Sequence, residues 1–202
     1  MNNNNSSKQV LISILGVAIL VVAVVGISFA AFSYSKTGTV ANTITTGTIT
    51  MSYSEPENGI NLTNALPITD TAGKALSGDN NTFDFTVTAT IAGTTTINYA
   101  ITAVKGDGCT VDDNGIKVYL TDQSDAQILA PTKVDKLTTT VSDNAAGAPA
   151  GQYVLKTGTY STVGTTTENY RLRMWVADDY AAPATSQKYI LKVNVYGKAN
   201  AQ

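Results

Sequence analysis

The chain has no histidine, a single cysteine and a single tryptophan. Without histidine there is no Ser/His/Asp or Cys/His arrangement and no His-based zinc site. Cys109 closes no intramolecular disulfide and builds no thiolate cluster, so the fold must be held by its core. It is either a half-buried loop thiol or one half of an intermolecular bridge. Charge is also scarce: 13 basic and 15 acidic residues in 202, net −2, with no basic cluster. That balance argues against nucleic acid as a partner. No glycine-rich loop sits between a strand and a helix, so no phosphate cradle is supported. Two acidic spots remain, Asp107, Asp112, Asp113 and Asn114 in one loop, and Asp178-Asp179 after the strand of Trp175. Oxygen-rich loops can hold calcium. Neither spot has EF-hand spacing, and solvated turns with Asx-type hydrogen bonds are the simpler reading. No cofactor is expected, calcium at the first loop being the one exception kept open. Paired carboxylates can hydrolyse glycosides, but no aromatic-lined groove is visible. The chain therefore reads as a non-enzyme.

What is present falls into two parts. Val10 to Phe32 is an uncharged, mostly apolar run, flanked by Lys8 and Lys36. Its length, roughly 23 residues, suits one helical membrane crossing. Lys8 favours an N-terminus inside. The run is either a retained anchor or a long signal peptide. For the second reading, Ser28 and Ala30 supply the small residues at −3 and −1 of a cut before Ala31. Such a cut removes only Lys8 among the charges and leaves a mature domain of roughly 170 residues, enough for one core.

Beyond residue 33 no apolar helical period appears, and period-2 alternation takes over. Strands are expected at 47–54, at 60–63, at 82–91 with Phe83, Phe85, Val87, Ala89 and Ile91 on one face, and at 97–103. The last two read as a hairpin or as neighbours. Further strands are expected at 116–121, 134–141, 153–156, 170–176 and 187–196. Pro131 breaks the chain, and 143–151 is a loop. Eight or nine short strands with regular turns predict an all-β, jelly-roll-like antiparallel sandwich after one N-terminal hydrophobic helix. Arg171, Arg173 and Trp175 share one strand face, either an interface or a face covered by a loop. Asn61-Leu62-Thr63 and Asn80-Asn81-Thr82 fit the glycosylation pattern.

The junction Ser28-Phe29-Ala30-Ala31-Phe32-Ser33, a Thr/Asn stretch, and Thr46-Gly47-Thr48-Ile49-Thr50-Met51 resemble the start of the TasA/camelysin family. Ile60-Asn61-Leu62-Thr63-Asn64-Ala65-Leu66-Pro67 and the Phe83 strand match the segment that follows in that family. The resemblance covers residues 10–104 and is looser beyond. It implies a signal peptide processed by a dedicated peptidase, SipW, and a secreted jelly-roll subunit of biofilm matrix fibres. It also implies that the mature N-terminal segment donates a strand to the next subunit. The camelysin branch is described as metalloprotease-like, and the absence of histidine argues against that here.

The expected organisation is thus residues 1–30 as signal peptide, 31–45 as donor segment and 46–202 as sandwich. The donor face would be Phe32, Tyr34, Val40 and Ile44, all even-numbered and so on one side of an extended strand. Expected partners are further copies of the chain, the signal peptidase, an accessory assembly protein, and the membrane only through residues 10–32. The alternative is a cell-surface binding or adhesion domain kept in place by the apolar run. Replacing Ala30 with Leu should leave the precursor in the membrane. Release of that variant with an unchanged N-terminus, read by sequencing, would show that the cut lies elsewhere.

Overall fold

A computed structural model describes residues 33–37, 44–46, 49–55, 60–63, 65–78, 81–181 and 188–200. The apolar run, Ala30, Ala31, Phe32 and Val40 lie outside the described residues. Among the described residues no helix is long and apolar enough to cross a membrane.

Two antiparallel sheets pack face to face, the all-β sandwich that the alternation predicts. The first contains β1 (Ser33–Thr37), β4 (Asn61–Thr63), β6 (Thr96–Lys105), β9 (Tyr153–Tyr160) and β11 (Lys188–Asn200). Its order is β1-β11-β6-β9, with β4 also on β11. The second runs β2-β3-β5-β10-β7-β8. Its strands are β2 (Ile44–Thr46), β3 (Ile49–Ser54), β5 (Thr82–Ile91), β7 (Ile116–Asp122), β8 (Gln127–Lys133) and β10 (Gly164–Val176). The predicted inward rows form the core. Phe83, Phe85, Val87, Ala89 and Ile91 of β5 are buried, as are Tyr170, Leu172, Met174 and Val176 of β10. They face Ile97, Tyr99, Ile101 and Ala103 of β6 and Val193 and Val195 of β11.

Four local expectations are corrected. First, β5 and β6 do not form a hairpin. Ala92–Thr95 carries the chain from one sheet to the other, with Gly93 at φ +75, because each apolar row needs a partner across the core. Second, residues 134–141 form no named strand. Val134–Lys136 is a 3-10 turn, and only Thr139 makes a bridge, to Tyr153. Third, β8 runs through Pro131, where a break was expected; a proline is tolerated there because β8 ends its sheet. Fourth, a five-residue helix, α1 (Asp70–Lys74), lies between the strands expected at 60–63 and 82–91, although no apolar helical period marks it, with the Thr69 hydroxyl accepting from Ala72 N–H.

Part of each sheet's outer face is covered as well. Over β10, Gly73 of α1 sits on the Trp175 ring so closely that a Cβ there would overlap it. Lys117 Nζ lies 2.7 Å from Asp70 Oδ1 and ties α1 to β7. Over β6 and β11, residues 137–152 fold back and bury Ala100, Ala146, Ala148 and Tyr196 together. Gln152 centres this second cover: it accepts from Thr102 Oγ1 at 2.5 Å and donates to the Tyr196 hydroxyl at 2.8 Å. Extra bulk between a backbone and a fixed ring is overpacking, which typically costs about 1–3 kcal/mol. Gly73→Ala should therefore lower the thermal midpoint by about 2–4 °C for each kcal/mol lost. An unchanged midpoint in calorimetry would mean that α1 lifts off Trp175 at no cost.

Candidate functional site

A β-sandwich has to manage its sheet edges, because unpaired N–H and C=O groups recruit other strands. Three of the four ends are blunted. β2 is three residues long. β8 carries Pro131 and breaks register with β7 twice. β9 points a charge inward: Lys156 Nζ lies 2.8 Å from the Tyr170 hydroxyl and 3.5 Å from Glu168 Oε1. The start of β9 is also occupied, since Val154 N–H donates to Thr138 O at 2.8 Å.

The fourth end is formed by β1 and β4, both lying on β11, and it is built differently. One edge of β11 pairs with β6 from Leu191 to Asn200. That pairing continues through Gly106 N–H to Ile190 O and Thr110 N–H to Lys188 O. The other edge holds β4 at Lys188–Ile190 and β1 at Asn194–Lys198. The β1 register is Ser33–Lys198, Tyr34–Gly197, Ser35–Tyr196, Lys36–Val195 and Thr37–Asn194. The strand under β1 is rigid. Asn194, Val195 and Tyr196 are buried, and Gly197 is so close to Met51 of β3 that a Cβ would collide with its sulfur. This seat carries neither proline nor bulge.

The predicted donor residues are divided by this arrangement. Tyr34 falls on β1, and Ile44 falls on β2, in register with Met51 in the other sheet. A single chain thus does not run 31–45 as one strand, and the compact unit begins at Ser33. Two short pairings within one chain satisfy the backbone of both pieces, which a lone extended segment cannot do. The seat on β11 was missed in the sequence. Its one signal was Gly197 inside an otherwise apolar and polar alternation, a mark of close packing in a strand.

The Arg171, Arg173 and Trp175 face is covered. Trp175 and Arg173 are buried beneath α1 and its flanks. Arg173 donates to Leu76 O at 2.8 Å, to Thr121 Oγ1 at 3.2 Å and to Asp125 Oδ1 at 2.7 Å. Arg171 forks onto both oxygens of Asp84 at 2.9 and 2.8 Å. The acidic spots are tied down by cations and phenols. Asp113 lies 2.8 Å from Lys105 Nζ and accepts from Tyr189 at 2.9 Å and Tyr153 at 2.5 Å. Burial alone would raise its pKa, but these partners lower it, and the bond to Asp113 followed by burial pushes Tyr153 up to about 12. Asp178 and Asp179 face Lys117 and Lys133. Among the described residues no three acidic or cysteine side chains are gathered as metal ligands. Cys109 is a half-buried loop thiol, donating to Gly106 O at 3.1 Å and accepting from Ile190 N–H at 3.2 Å. Asn61 lies on β4, and Asn80 is outside the described residues.

A cluster that the sequence did not reveal joins the sheets. Glu168 Oε2 of β10 accepts from Tyr160 and Tyr170 at 2.5 Å and from Tyr99 at 3.1 Å. Tyr99 and Tyr160 come from the opposite sheet and stack, with centroids 4.4 Å apart. No family model and no curated protein matches the chain.

Burial would raise the Glu168 pKa, but the three hydroxyls and Lys156 hold it below its ordinary 4.5. Its contribution to stability is therefore present above that value and lost as pH falls through the folded one. Burial first, then Glu168, pushes Tyr160 and Tyr170 far above 10.0. Their contribution is intact below 10.0 and lost as pH rises towards the folded values. Urea unfolding of the native chain and Glu168→Gln should differ most between these limits, and the gap should shrink in acid. A gap of constant size down to acid pH would remove Glu168 as the titrating group.

Proposed function

We propose that this chain is a structural subunit of an extracellular fibre, secreted after a cut before Ala31 and assembled through its N-terminal segment. The reading rests on one observation. The β11 edge holds β1 in an unbroken register of five pairs, without proline or bulge, and that strand comes from the start of the described chain. Strand addition supplies main-chain hydrogen bonds for affinity and side-chain pockets for specificity. Residues 38–43 link β1 to β2, and six residues reach at most about 20 Å. A copy whose β1 leaves its own β11 can place it on the next copy's β11. That contact is head-to-tail and does not close, so it propagates.

The resemblance to the TasA/camelysin family adds to this reading, since matrix fibres of that family use the same segment. The chain needs no catalytic role in it. Its partners are further copies, a signal peptidase, an accessory assembly protein and, for the precursor, the membrane through residues 10–32. In dilute solution the short link favours pairing within one chain, because the tethered strand has a high effective concentration. Exchange is then slow and concentration-dependent.

Deleting residues 31–45 should leave a folded monomer by circular dichroism that forms no filaments by electron microscopy. Filaments from the truncated chain would overturn strand donation. A chain that keeps residues 10–32, stays on the membrane and never forms filaments would favour the anchored adhesion domain instead.

A further inference from the structure

The outer cover of the first sheet leaves a groove of about 410 Å³ between residues 139–146 and the strands β6 and β9. That volume is in the range of small-molecule sites. Its floor is two cross-strand rows, Asn98 with Thr159 and Ala100 with Thr157. Its wall is Thr139, Thr140, Val141, Asn144, Ala145 and Ala146. We propose that this groove is a binding site for a neutral glycan.

Three observations carry the proposal. None of the lining residues is charged, and every polar side chain among them except the Tyr99 phenol is a hydroxyl or a carboxamide. These groups pair with sugar hydroxyls and bring no positive charge to compensate a phosphate or a carboxylate. Next, some of the polar groups are unspent. Thr159 donates to Asn98 Oδ1 at 2.7 Å, which leaves Asn98 Nδ2 and the hydroxyls of Thr139 and Thr157 without partners among the described residues. Alanine and valine between them give the C–H face of a pyranose a surface to lie on.

Lastly, the wall is preformed. Asn144 Nδ2 donates to Val141 O and Ala148 O at 2.8 and 2.6 Å, and its Oδ1 accepts from Ala148 N–H at 3.0 Å. Thr140 N–H donates to Gln152 O, and Gly151 N–H donates to Thr140 O. Asp143 turns the loop at φ 57, a conformation held by the bonds around it. A rigid wall spares a ligand the cost of ordering it. A peptide is the poorer occupant. It would add along the β9 edge, and residues 138–140 already hold the start of that edge.

The proposal is independent of the fibre reading, because the groove is formed on β6 and β9 and the β1 seat is the opposite edge of β11. The test is calorimetric titration of the full chain, in a detergent without a sugar headgroup. The titrants are cellotetraose, chitotetraose, an anionic galacturonate tetramer and a short neutral peptide. At least one neutral tetrasaccharide should bind saturably, and the anionic glycan and the peptide should not. The double variant Thr139→Val, Thr157→Val keeps the side-chain shape at two exposed positions, so its melting curve should match the parent. Its affinity should fall at least tenfold. No saturable binding of either neutral glycan at millimolar concentration would overturn the proposal. So would unchanged affinity in the variant, or preference for the anionic glycan or the peptide.

Discussion

The molecule depends on β11 having both of its edges paired over most of its length. It is the strand through which β1, β4 and β6 meet, and its side chains serve two cores at once. Val193 and Val195 face the space between the sheets, and Asn194 and Tyr196 face the cover made by residues 137–152. A strand buried on both faces and along both edges is a poor place for substitution. It is also a firm platform for whatever lies on its outer edge.

Polar side chains do the work that a disulfide would do in a smaller domain. Glu168 gathers three phenols from two sheets, and Asp113 gathers two phenols and a lysine from β6, β9 and β11. A half-buried carboxylate is tolerable when each lone pair is met, and each missing partner is expensive. These clusters fix which part of one sheet lies over which part of the other. Hydrophobic rows alone specify the face and leave the offset loose.

Much of this was legible in the sequence. The period of two in β5, β10 and β11 is strong because each has an apolar row that must be buried, and those strands appear where they were expected. The exceptions share a cause. Trp175 and Arg173, on the face read as an interface or as covered by a loop, and Ala100 and Thr102, on the row opposite Ile97, Tyr99 and Ile101, are all buried. What buries them is chain far away in sequence, α1 and residues 137–152, and local periodicity carries no trace of that. The hairpin expectation for 82–104 failed similarly, since a tight turn fits either a sheet partner or a crossing to the opposite sheet. The carboxylate clusters were hidden for another reason. Glu168 and Tyr170 are neighbours in sequence, but Tyr99 belongs to a strand whose position only the topology decides.

One feature of the register governs timing. The first described strand pairs with the last one, Ser33 opposite Lys198. A chain made from its N-terminus at about 5–20 residues per second delivers β1 roughly 10–30 s before β11. Through that interval β1 has no seat in its own chain. The first sheet can therefore close only at the end of synthesis, once β11 has been delivered.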